Sequence, residues 1–540
     1  MVFGLVVLAA AVRLVGLGWD RPFSFHPDEH LVTDPARRLL ASGRLHERPV
    51  RDKPTHVYVY PPLLSEILAL ECLAAYPLSS WPNLQAISPD FVRLAGRATS
   101  LASALLTVGL LAMMARRLSA STAAGALVAA VLALSPLHAE SSRYATTDVL
   151  AGLWVLLAAW AGVRIVEEGR WRHYLLGSVA VGVAVATKYP AAVSCIVIGA
   201  AHFARPRVIR AWREHIKILC AALAAFLAMV VALPPGLVRW DEVIEGARRT
   251  SFVYGRSWPG FDSPYPALDG LRTITAAGLG WGATAAVLFW LRGPVSRRRL
   301  VPLGTLVVGY LWLLGAQKVY IARNLLHFLP ATLLLASWGV ARLLALAARP
   351  GRFRRWRWPL TAAVCATLVV QPVALAVVQV RALAARDTRL LARDWIAGRL
   401  KRGSPVVTVN GSGFQLVPLA GLRLREKRAV RPNLDALFKL GYRWVVYSDA
   451  SDVRYLRSPD RYPKEARAAR AWMADLSIRA KLVKHFPRRP LPGWDLPGST
   501  ANMYHQPDVR IYHLDPRPGQ EQAPRRTLEQ ERTTQGSSGI

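Results

Sequence analysis

Five ionisable residues are crowded into the stretch FSFHPDEHLVTD, residues 23 to 34. They are His26, Asp28, Glu29, His30 and Asp34, and the sequence around them is apolar and basic. A carboxylate can remove the proton from an attacking hydroxyl, so the stretch predicts acid-base chemistry. The alternative is that Asp28 and Glu29 are solvated acids that favour the start of the helix after them.

A second acidic position, Asp148, follows Arg143 and Tyr144 in SSRYATTDVLAGLWVLLAAW, at the beginning of an apolar segment. An acid here could bond a substrate hydroxyl, orient the first acidic stretch, or share a divalent metal ion with Asp28. The alternative is that Thr147 or Asp148 only caps the helix.

Cationic and hydrogen-bonding residues stand at the ends of two other apolar segments. Lys188 ends VGVAVATKYP, and GAQKVYIARNLLHFLP carries Arg323 and His327 four residues apart, which predicts one helical face. Such groups are costly near lipid unless they are paired, so a phosphate is a reasonable partner. Alternatively, Lys188 extends to water along the apolar surface, and Arg323 and His327 pair with an acid elsewhere.

The composition predicts a membrane protein. Of 540 residues, 53% are hydrophobic, and the mean hydropathy is +0.23. The formal charge of +35 would favour nucleic-acid binding in a soluble protein. Much of this positive charge lies in short loops between apolar segments, and membrane proteins carry such basic loops on the cytoplasmic side. We therefore expect no nucleic-acid partner. The four scattered cysteines predict neither a disulfide framework nor a metal site.

About eleven apolar stretches are suited to cross a membrane as helices. They are residues 2–18, 93–114, 120–137, 147–163, 174–188, 190–204, 216–234, 271–291, 300–316, 324–346 and 358–380. With a cytoplasmic N-terminus, the inner loops carry a net charge of +16 and the outer loops −1. The positive-inside rule therefore places the acidic stretch outside the cytoplasm, in a first outer loop over 19–92. Within that loop, residues 59–78 are expected to form an interfacial helix.

The sequence thus predicts a polytopic α-helical membrane domain over residues 1–380. Residues 381–515 are polar and mixed, and alternating helix and strand patterns such as SPVVTV, NLDALFKLGYRWVVYSDA and DVRIYHL predict a small extracytoplasmic α/β domain. Residues 516–540 lack apolar content and are expected to be disordered.

The order of these motifs resembles the membrane-embedded GT-C glycosyltransferases, which include protein O-mannosyltransferases and lipid A aminoarabinose transferases. The resemblance is carried by HPDE, YPPL, RYATTD, ATKYP and ARNLLHFLP, in this order, with DTRLLARDWI after the last span. It implies a GT-C-like fold in the plasma (inner) membrane, a sugar donor carried on a polyprenyl phosphate, transfer outside the cytoplasm, and inversion at the anomeric carbon. The implied acceptor is a hydroxyl of a lipid, glycan or protein.

The resemblance also implies roles for individual residues. Asp28 becomes the general base, Glu29 its helper and Asp148 the second acidic position, while Lys188 and Arg323 become ligands of the donor phosphate. His327 stands where such enzymes often have another polar residue.

The residues expected to bind substrate are His26, Lys53, Tyr60, Arg143 and Tyr144. Many aminoarabinose-type members have a lysine directly before the double proline, where this chain has Tyr60. Lys53 could take over that role, and the acceptor is left open. No cofactor is expected beyond a divalent metal ion, for which Asp28 and Asp148 are the candidate ligands.

Two other functions are compatible with the pattern. A transporter or flippase of polyprenyl lipids would place its binding groups near the middle of the membrane in related halves, whereas these ionisable residues lie at segment ends and no repeat is visible. A non-catalytic envelope assembly protein would tolerate the loss of Asp28.

Overall fold

The computed structural model describes residues 1–42, 58–205, 212–234, 238–256, 261–290, 297–348, 354–409, 416–450, 452–492 and 505–515. The chain divides into two compact units. The first is Met1–Asp387 with Arg489–Gln506, and the second is Thr388–Arg488 with Pro507–Ile540. Lys53 and the predicted disordered tail 516–540 lie outside the described residues.

The first unit is built from α-helices. They are α1 (Val2–Leu14), α2 (His30–Ser42), α3 (Leu63–Ala75), α4 (Pro89–Ser119), α5 (Thr122–Leu134), α6 (Pro136–Ser141), α7 (Asp148–Glu168), α8 (Trp171–Thr187), α9 (Cys195–Phe203), α10 (His215–Ala232), α11 (Trp240–Tyr254), α12 (Pro266–Thr273), α13 (Gly280–Trp290), α14 (Val301–Gly315), α15 (Leu329–Ala347) and α16 (Arg357–Ala384).

Helices occupy all eleven apolar stretches, but they differ in length. Among the described residues, five helical stretches are long and apolar enough to cross a membrane. They are Pro89–Ser119, Asp148–Glu168, His215–Ala232, Leu329–Ala347 and Arg357–Arg399. Shorter apolar helices include α1 and α5, and a π-helix over Ile274–Leu279 lies between α12 and α13 within the stretch predicted as one span. The structure thus has a membrane-protein architecture, and the number of eleven spans stays a prediction.

The buried core of this unit lies around α4, α5, α7 and α15. The N-cap Ser88 accepts a hydrogen bond from the backbone N–H of Phe91 and starts α4, and Pro89 takes the first helical position, where its missing N–H costs nothing. Helix α7 ends at Gly169, whose φ of +63° is the left-handed conformation that glycine adopts easily. Packing of these helices fixes the ends that carry the predicted site.

The second unit is a small α/β unit, as its sequence pattern predicts. Its elements are α17 (Thr388–Arg399), β1 (Pro405–Val409), β2 (Arg425–Ala429), α18 (Leu434–Lys439), β3 (Trp444–Ser448), α19 (Val453–Leu456), α20 (Pro463–Arg479), β4 (Ala480–Phe486) and β5 (Val509–Leu514). The strand order is β2-β1-β3-β5-β4. Strand β1 pairs in parallel with β2 and β3, and β5 pairs antiparallel with β3 and β4.

Candidate active site

Asp28 and Glu29 are neighbours in the loop before α2, but their carboxylates have different partners. Both oxygens of Glu29 accept hydrogen bonds of 2.7 Å from the guanidinium of Arg97, and Oε1 also accepts one of 2.9 Å from the backbone N–H of Ala145. The Glu29 side chain is 1% exposed, whereas that of Asp28 is 19% exposed. Glu29 therefore attaches the loop to the helical core, and Asp28 is the more accessible of the two acids.

Arg97 in α4 fixes both ends of the acidic loop. Besides Glu29, it donates to the two carboxylate oxygens of Asp20 at 2.9 and 3.0 Å and to the backbone carbonyl of Leu17 at 2.8 Å. Burial alone would raise the pKa of Asp20, but the Arg97 guanidinium outweighs burial and holds that pKa below its ordinary value. One buried arginine thus positions the loop from Leu17 to Glu29.

Asp28 forms an ion pair with Arg323, a residue almost three hundred positions further along the chain. Arg323 Nη2 also donates to the Tyr60 hydroxyl at 3.2 Å, and Arg323 Nε lies 3.8 Å from Asp148 Oδ2. The Tyr60 hydroxyl in turn lies 3.5 Å from Asp28 Oδ2. Arg323 is therefore placed between the two predicted acidic positions.

Asp148 and Lys188 form a second, buried ion pair in the same cluster. Lys188 Nζ also donates to Asn324 Oδ1 at 3.2 Å, and Asn324 Nδ2 donates to the hydroxyl of Tyr254 at 3.1 Å. The ring nitrogen Nε2 of His327 lies 4.0 Å from Asp148 Oδ1. The cluster thus joins residues from the regions around α7, α8, α11 and the segment before α15.

The local structure explains how these side chains reach one another. Asp148 is the first residue of α7, and Lys188 is the residue at which α8 ends, followed two positions later by Pro190. Arg323 and His327 lie on a 3-10 helix, Ala322–His327, so the predicted α-helical face is wrong in its geometry. With three residues per turn, positions four apart are about 120° apart around the helix axis. Both side chains nevertheless lie within 4.0 Å of the Asp148 carboxylate.

A glycine allows the 3-10 segment to lie against α7. A Cβ added at Gly152, one turn after Asp148, would be 2.7 Å from the backbone carbonyl oxygen of Leu326. A methyl group at that distance is not tolerated without movement of one backbone. The close approach therefore sets the position of the segment that carries Arg323 and His327.

Some buried polar atoms of the cluster make no hydrogen bond to the protein. Among the described residues, Asp148 Oδ2 and both ring nitrogens of His327 accept or donate no hydrogen bond, although both side chains are fully buried. Buried polar groups are otherwise nearly always satisfied. These atoms are available to hydroxyl groups of a substrate.

Electrostatics keep Asp28 ionised. Burial would raise the pKa of its carboxyl, but the Arg323 guanidinium outweighs burial and holds that pKa below its ordinary value. Burial lowers the pKa of His26 to about 4, so this imidazole is neutral near pH 7. Its Nδ1 accepts the backbone N–H of Asp28 at 3.3 Å. His26 thus supports the conformation of the Asp28 backbone.

The other residues predicted to bind substrate have partners in the fold. The guanidinium of Arg143 donates to the backbone carbonyls of Val12, Val15 and Ala139 and is fully buried. Its contact with substrate stays a prediction. The ring of Tyr144 lies 4.1 Å from that of His26, centroid to centroid. Lys53 is outside the described residues.

The cluster does not suit a metal ion shared by Asp28 and Asp148. Each carboxylate is neutralised by a cation, and Arg323 lies between them. Over the described ranges, no group of three or more His, Cys, Asp or Glu side chains is arranged to hold a metal. The two carboxylates therefore do not fit a shared divalent ion.

Three residues of this region were not predicted from the sequence. Asn324 and Tyr254 are uncharged, and nothing in the spacing of charges reveals them. Arg97 does carry a signal, since an arginine within an apolar span must be paired, and its partner is functional or structural.

Comparison with known proteins supports the family resemblance. Residues 85–235, which contain Asp148 and Lys188, match the family model of dolichyl-phosphate-mannose-protein mannosyltransferase. None of the curated proteins matches the sequence. The crystal structure of ArnT from Cupriavidus metallidurans in the apo state matches 95% of this chain and 98% of its own chain, at 16% identity and a TM-score of 0.50.

Two further solved structures are similar at lower scores. ArnT from Cupriavidus metallidurans bound to undecaprenyl phosphate matches 94% of this chain and 98% of its own, at 16% identity and a TM-score of 0.49. The protein O-mannosyltransferase Pmt1-Pmt2 complex of S. cerevisiae bound to the sugar donor matches 49% of this chain and 36% of its own, at 17% identity and a TM-score of 0.32.

The match over residues 85–235 and the fold shared with apo ArnT agree with the motifs HPDE, RYATTD, ATKYP and ARNLLHFLP. The chain is thus similar over residues 85–235 to the dolichyl-phosphate-mannose-protein mannosyltransferase family, and its fold is similar to that of apo ArnT.

Proposed function

We propose that the protein is an inverting glycosyltransferase that moves a sugar from a polyprenyl-phosphate carrier to a hydroxyl of a lipid, glycan or protein. The reaction takes place on the extracytoplasmic side of the inner membrane, in the cluster around Asp28, Asp148, Lys188 and Arg323. The charge difference between the predicted inner and outer loops supports this sidedness. The small α/β unit lies on the same side in this proposal.

The observation that carries the proposal is the double ion pair of Asp28 with Arg323 and Asp148 with Lys188. Transfer to a hydroxyl requires a carboxylate for the acceptor proton and cations for the charge that develops on the leaving phosphate. Both requirements are met within one cluster, whose members come from distant parts of the chain.

The transfer is a single displacement. The acceptor oxygen forms a bond to the anomeric carbon from the face opposite the phosphate, and Asp28 takes the proton of the acceptor hydroxyl. The bond between the anomeric carbon and the phosphate oxygen breaks, and its electron pair leaves with the polyprenyl phosphate. Lys188 and Arg323 stabilise the negative charge on that leaving group, and the configuration at the anomeric carbon is inverted.

Binding of the donor changes the partner of Arg323. Before binding, Arg323 holds the pKa of Asp28 low, which makes this carboxylate a weak base. A donor phosphate that takes over part of the guanidinium weakens its ion pair with Asp28, so the pKa of Asp28 rises and its basicity increases. The base is therefore activated only when the donor is in place.

Sugar hydroxyls fit the remaining polar atoms. Asp148 Oδ2 and the His327 ring nitrogens are buried and have no hydrogen-bond partner in the described part of the chain. A hydroxyl of the donor sugar can donate a hydrogen bond to Asp148 Oδ2 and accept a hydrogen bond from the ring N–H of His327. The family model matched by residues 85–235 names a lipid phosphate sugar as the donor, which supports the same donor class for this chain.

The test is a transfer assay with purified full-length protein, radiolabelled polyprenyl-phosphate sugars and an envelope extract that contains the acceptors. Wild type is compared with Asp28→Asn and with Asp34→Asn, which makes the same change in the same acidic stretch. We expect wild type and Asp34→Asn to transfer label, and Asp28→Asn to transfer at least about a hundredfold less, as for loss of a general base.

The outcomes separate the competing functions. Equal transfer by Asp28→Asn and wild type would remove Asp28 from the mechanism. Movement of labelled lipid across a vesicle membrane without transfer to any acceptor would identify a transporter. Absence of transfer by all three proteins with every sugar, together with unaltered envelope assembly in cells carrying Asp28→Asn, would favour the assembly role.

A further inference from the structure

A groove of about 430 Å³ lies between α7 and α8, next to the end of α4. It is separate from the candidate active site, because the two occupy opposite ends of α7. Asp148 is the first residue of this helix, and Arg164, which lines the groove, follows sixteen positions later. At 1.5 Å per residue the two lie about 24 Å apart along the helix axis. The loop charges predict that the groove faces the cytoplasmic leaflet.

One end of the groove is cationic. Arg117, Arg164 and Arg172 line it together with one carboxylate, that of Glu168. Arg164 is almost buried and pairs with Glu168, and Arg172 Nη2 lies 3.0 Å from the same carboxylate. Arg117 and Arg172 are exposed. Arg164 also pairs with Glu167 beside the lining, so three arginines face two carboxylates and one positive charge is left over. An excess of positive charge beside an apolar surface favours an anionic ligand.

The other end of the groove is apolar. Trp154 and Trp160 of α7 are half-buried there, and Leu176 of α8 is 63% exposed. From Trp154 to Arg164 the helix rises about 15 Å, which is long enough to support part of a hydrocarbon chain. Tryptophan is also the residue that favours the boundary between lipid and water.

We propose that this groove binds an anionic phospholipid of the cytoplasmic leaflet. Its phosphate lies against Arg117 and Arg172, and one acyl chain follows Trp160 and Trp154 towards the middle of the membrane. Basic pockets between membrane helices on the cytoplasmic side are suited to acidic lipid headgroups. The cationic end of the groove would contact the headgroup at the membrane surface, and the apolar end would contact the acyl chain deeper in the membrane.

The test is native mass spectrometry of the full-length protein, delipidated in detergent and then mixed with equal amounts of phosphatidylglycerol and phosphatidylcholine. We expect wild type to retain phosphatidylglycerol in preference. The double variant Arg117→Gln/Arg172→Gln should bind it about 30-fold more weakly, the equivalent of about 1 kcal/mol for each basic residue.

The matched control is Arg116→Gln/Arg298→Gln, which removes two exposed charges on the same predicted side of the membrane but outside the groove lining. It should keep the preference for phosphatidylglycerol. Equal losses in both double variants would mean that diffuse surface charge attracts the lipid, and no loss in either would mean that the arginines do not bind it. Both results would overturn the proposal.

A second arm separates the lipid from a free phosphate ester. Trp160→Leu removes indole area from the apolar end and should weaken retention of phosphatidylglycerol, while an excess of glycerol 3-phosphate should displace none of it. Displacement by this soluble ester, or unchanged lipid binding by Trp160→Leu, would remove the acyl chain from the groove and contradict the proposal. Size-exclusion elution identical to wild type shows that each variant is folded.

Discussion

Lys188 and Asp148 form an ion pair in which their side chains are only 4% and 0% exposed. The residues are forty positions apart, at the end of α8 and the start of α7. A buried charge needs an oppositely charged partner, because a single buried ion without one strongly destabilises the fold. The pair is therefore structural and, in the proposed mechanism, also catalytic.

Replacing Lys188 with methionine should affect both roles. We expect Lys188→Met to lower the free energy of unfolding by about 3 to 5 kcal/mol, because Asp148 remains buried and unpaired. Sugar transfer should be lost as well, because one cation that stabilises the leaving phosphate is missing. Thermal unfolding in detergent and the transfer assay measure the two effects, and Lys318→Met, a change of an exposed lysine, is the control.

The double variant Asp148→Asn/Lys188→Met separates stability from activity. It removes both charges, so much of the lost stability should return while transfer stays absent. Recovery of transfer together with stability would show that the pair acts only in folding.

The pH dependence should differ between the free enzyme and the donor complex. Activity requires ionised Asp28, so the rate falls as the pH decreases through the pKa of this carboxyl. In the free enzyme Arg323 holds that pKa low, so the acidic limb of kcat/KM for the donor lies at low pH. In the complex the phosphate competes for Arg323, and the acidic limb of kcat should lie at higher pH.

The variant Arg323→Gln provides the comparison for this profile. Without the guanidinium, the pKa of Asp28 is already higher in the free enzyme, so the acidic limbs of its residual kcat/KM and kcat should approach each other. Limbs that coincide in wild type would contradict the exchange of partners by Arg323.

Glu29 should act through position and not as a base. Its two oxygens are held by Arg97 and Ala145. We expect Glu29→Gln to lower the free energy of unfolding by about 1.5 to 3 kcal/mol, the contribution of hydrogen bonds to a charged group. It should reduce activity without moving the acidic limb of the pH profile.

The control is Glu245→Gln, which makes the same substitution in the exposed ion pair of Glu245 with Arg249. It should change the free energy of unfolding by less than about 0.5 kcal/mol. A shifted acidic limb in Glu29→Gln would instead support the helper-base role that the family resemblance implies.

Gly152 should be required for activity although it has no side chain. A methyl group at this position meets the carbonyl oxygen of Leu326 at 2.7 Å, so Gly152→Ala must move the segment that carries Arg323. A displacement of about 1 Å in such a site can reduce the rate about a hundredfold. Gly304 has no atom within 4 Å of an added Cβ, and Gly304→Ala should transfer sugar like wild type. Full activity in Gly152→Ala would mean that α7 and this segment can separate without effect on the site.

Much of the membrane unit follows from hydropathy and charge. The apolar stretches became helices, and the acids and cations at their predicted outer ends, among them Asp28 and Lys188, lie in one cluster. The predicted membrane topology places such residues on one side of the membrane, but it does not predict which acid pairs with which cation. Hydropathy and charge therefore could not distinguish Asp28, which faces Arg323, from Glu29, which is bound by Arg97. The different roles of the two acids were predicted through the family resemblance.

The small α/β unit shows a similar limit. Strands β1, β3 and β5 have the apolar pattern of buried strands and were predicted, whereas β2 and β4 were not. Strand β2 has the sequence REKRA and lies at an edge of the sheet, as does β4. Charged residues are typical of edge strands because they discourage pairing with other chains. The same charges interrupt the apolar pattern by which a strand is predicted from sequence.

In the cluster, Arg323 neutralises Asp28 and Lys188 neutralises Asp148. This pairing determines which anions can bind there. An inorganic phosphate ion from the surrounding water would have to separate two carboxylates from their cations with no hydrocarbon of its own to contribute. A polyprenyl carrier contributes about 0.8 kcal/mol for each methylene that leaves water. Under the proposed function, the cluster therefore excludes small anions without a gate, because only the hydrocarbon chain of the carrier offsets the free-energy cost of separating the two ion pairs.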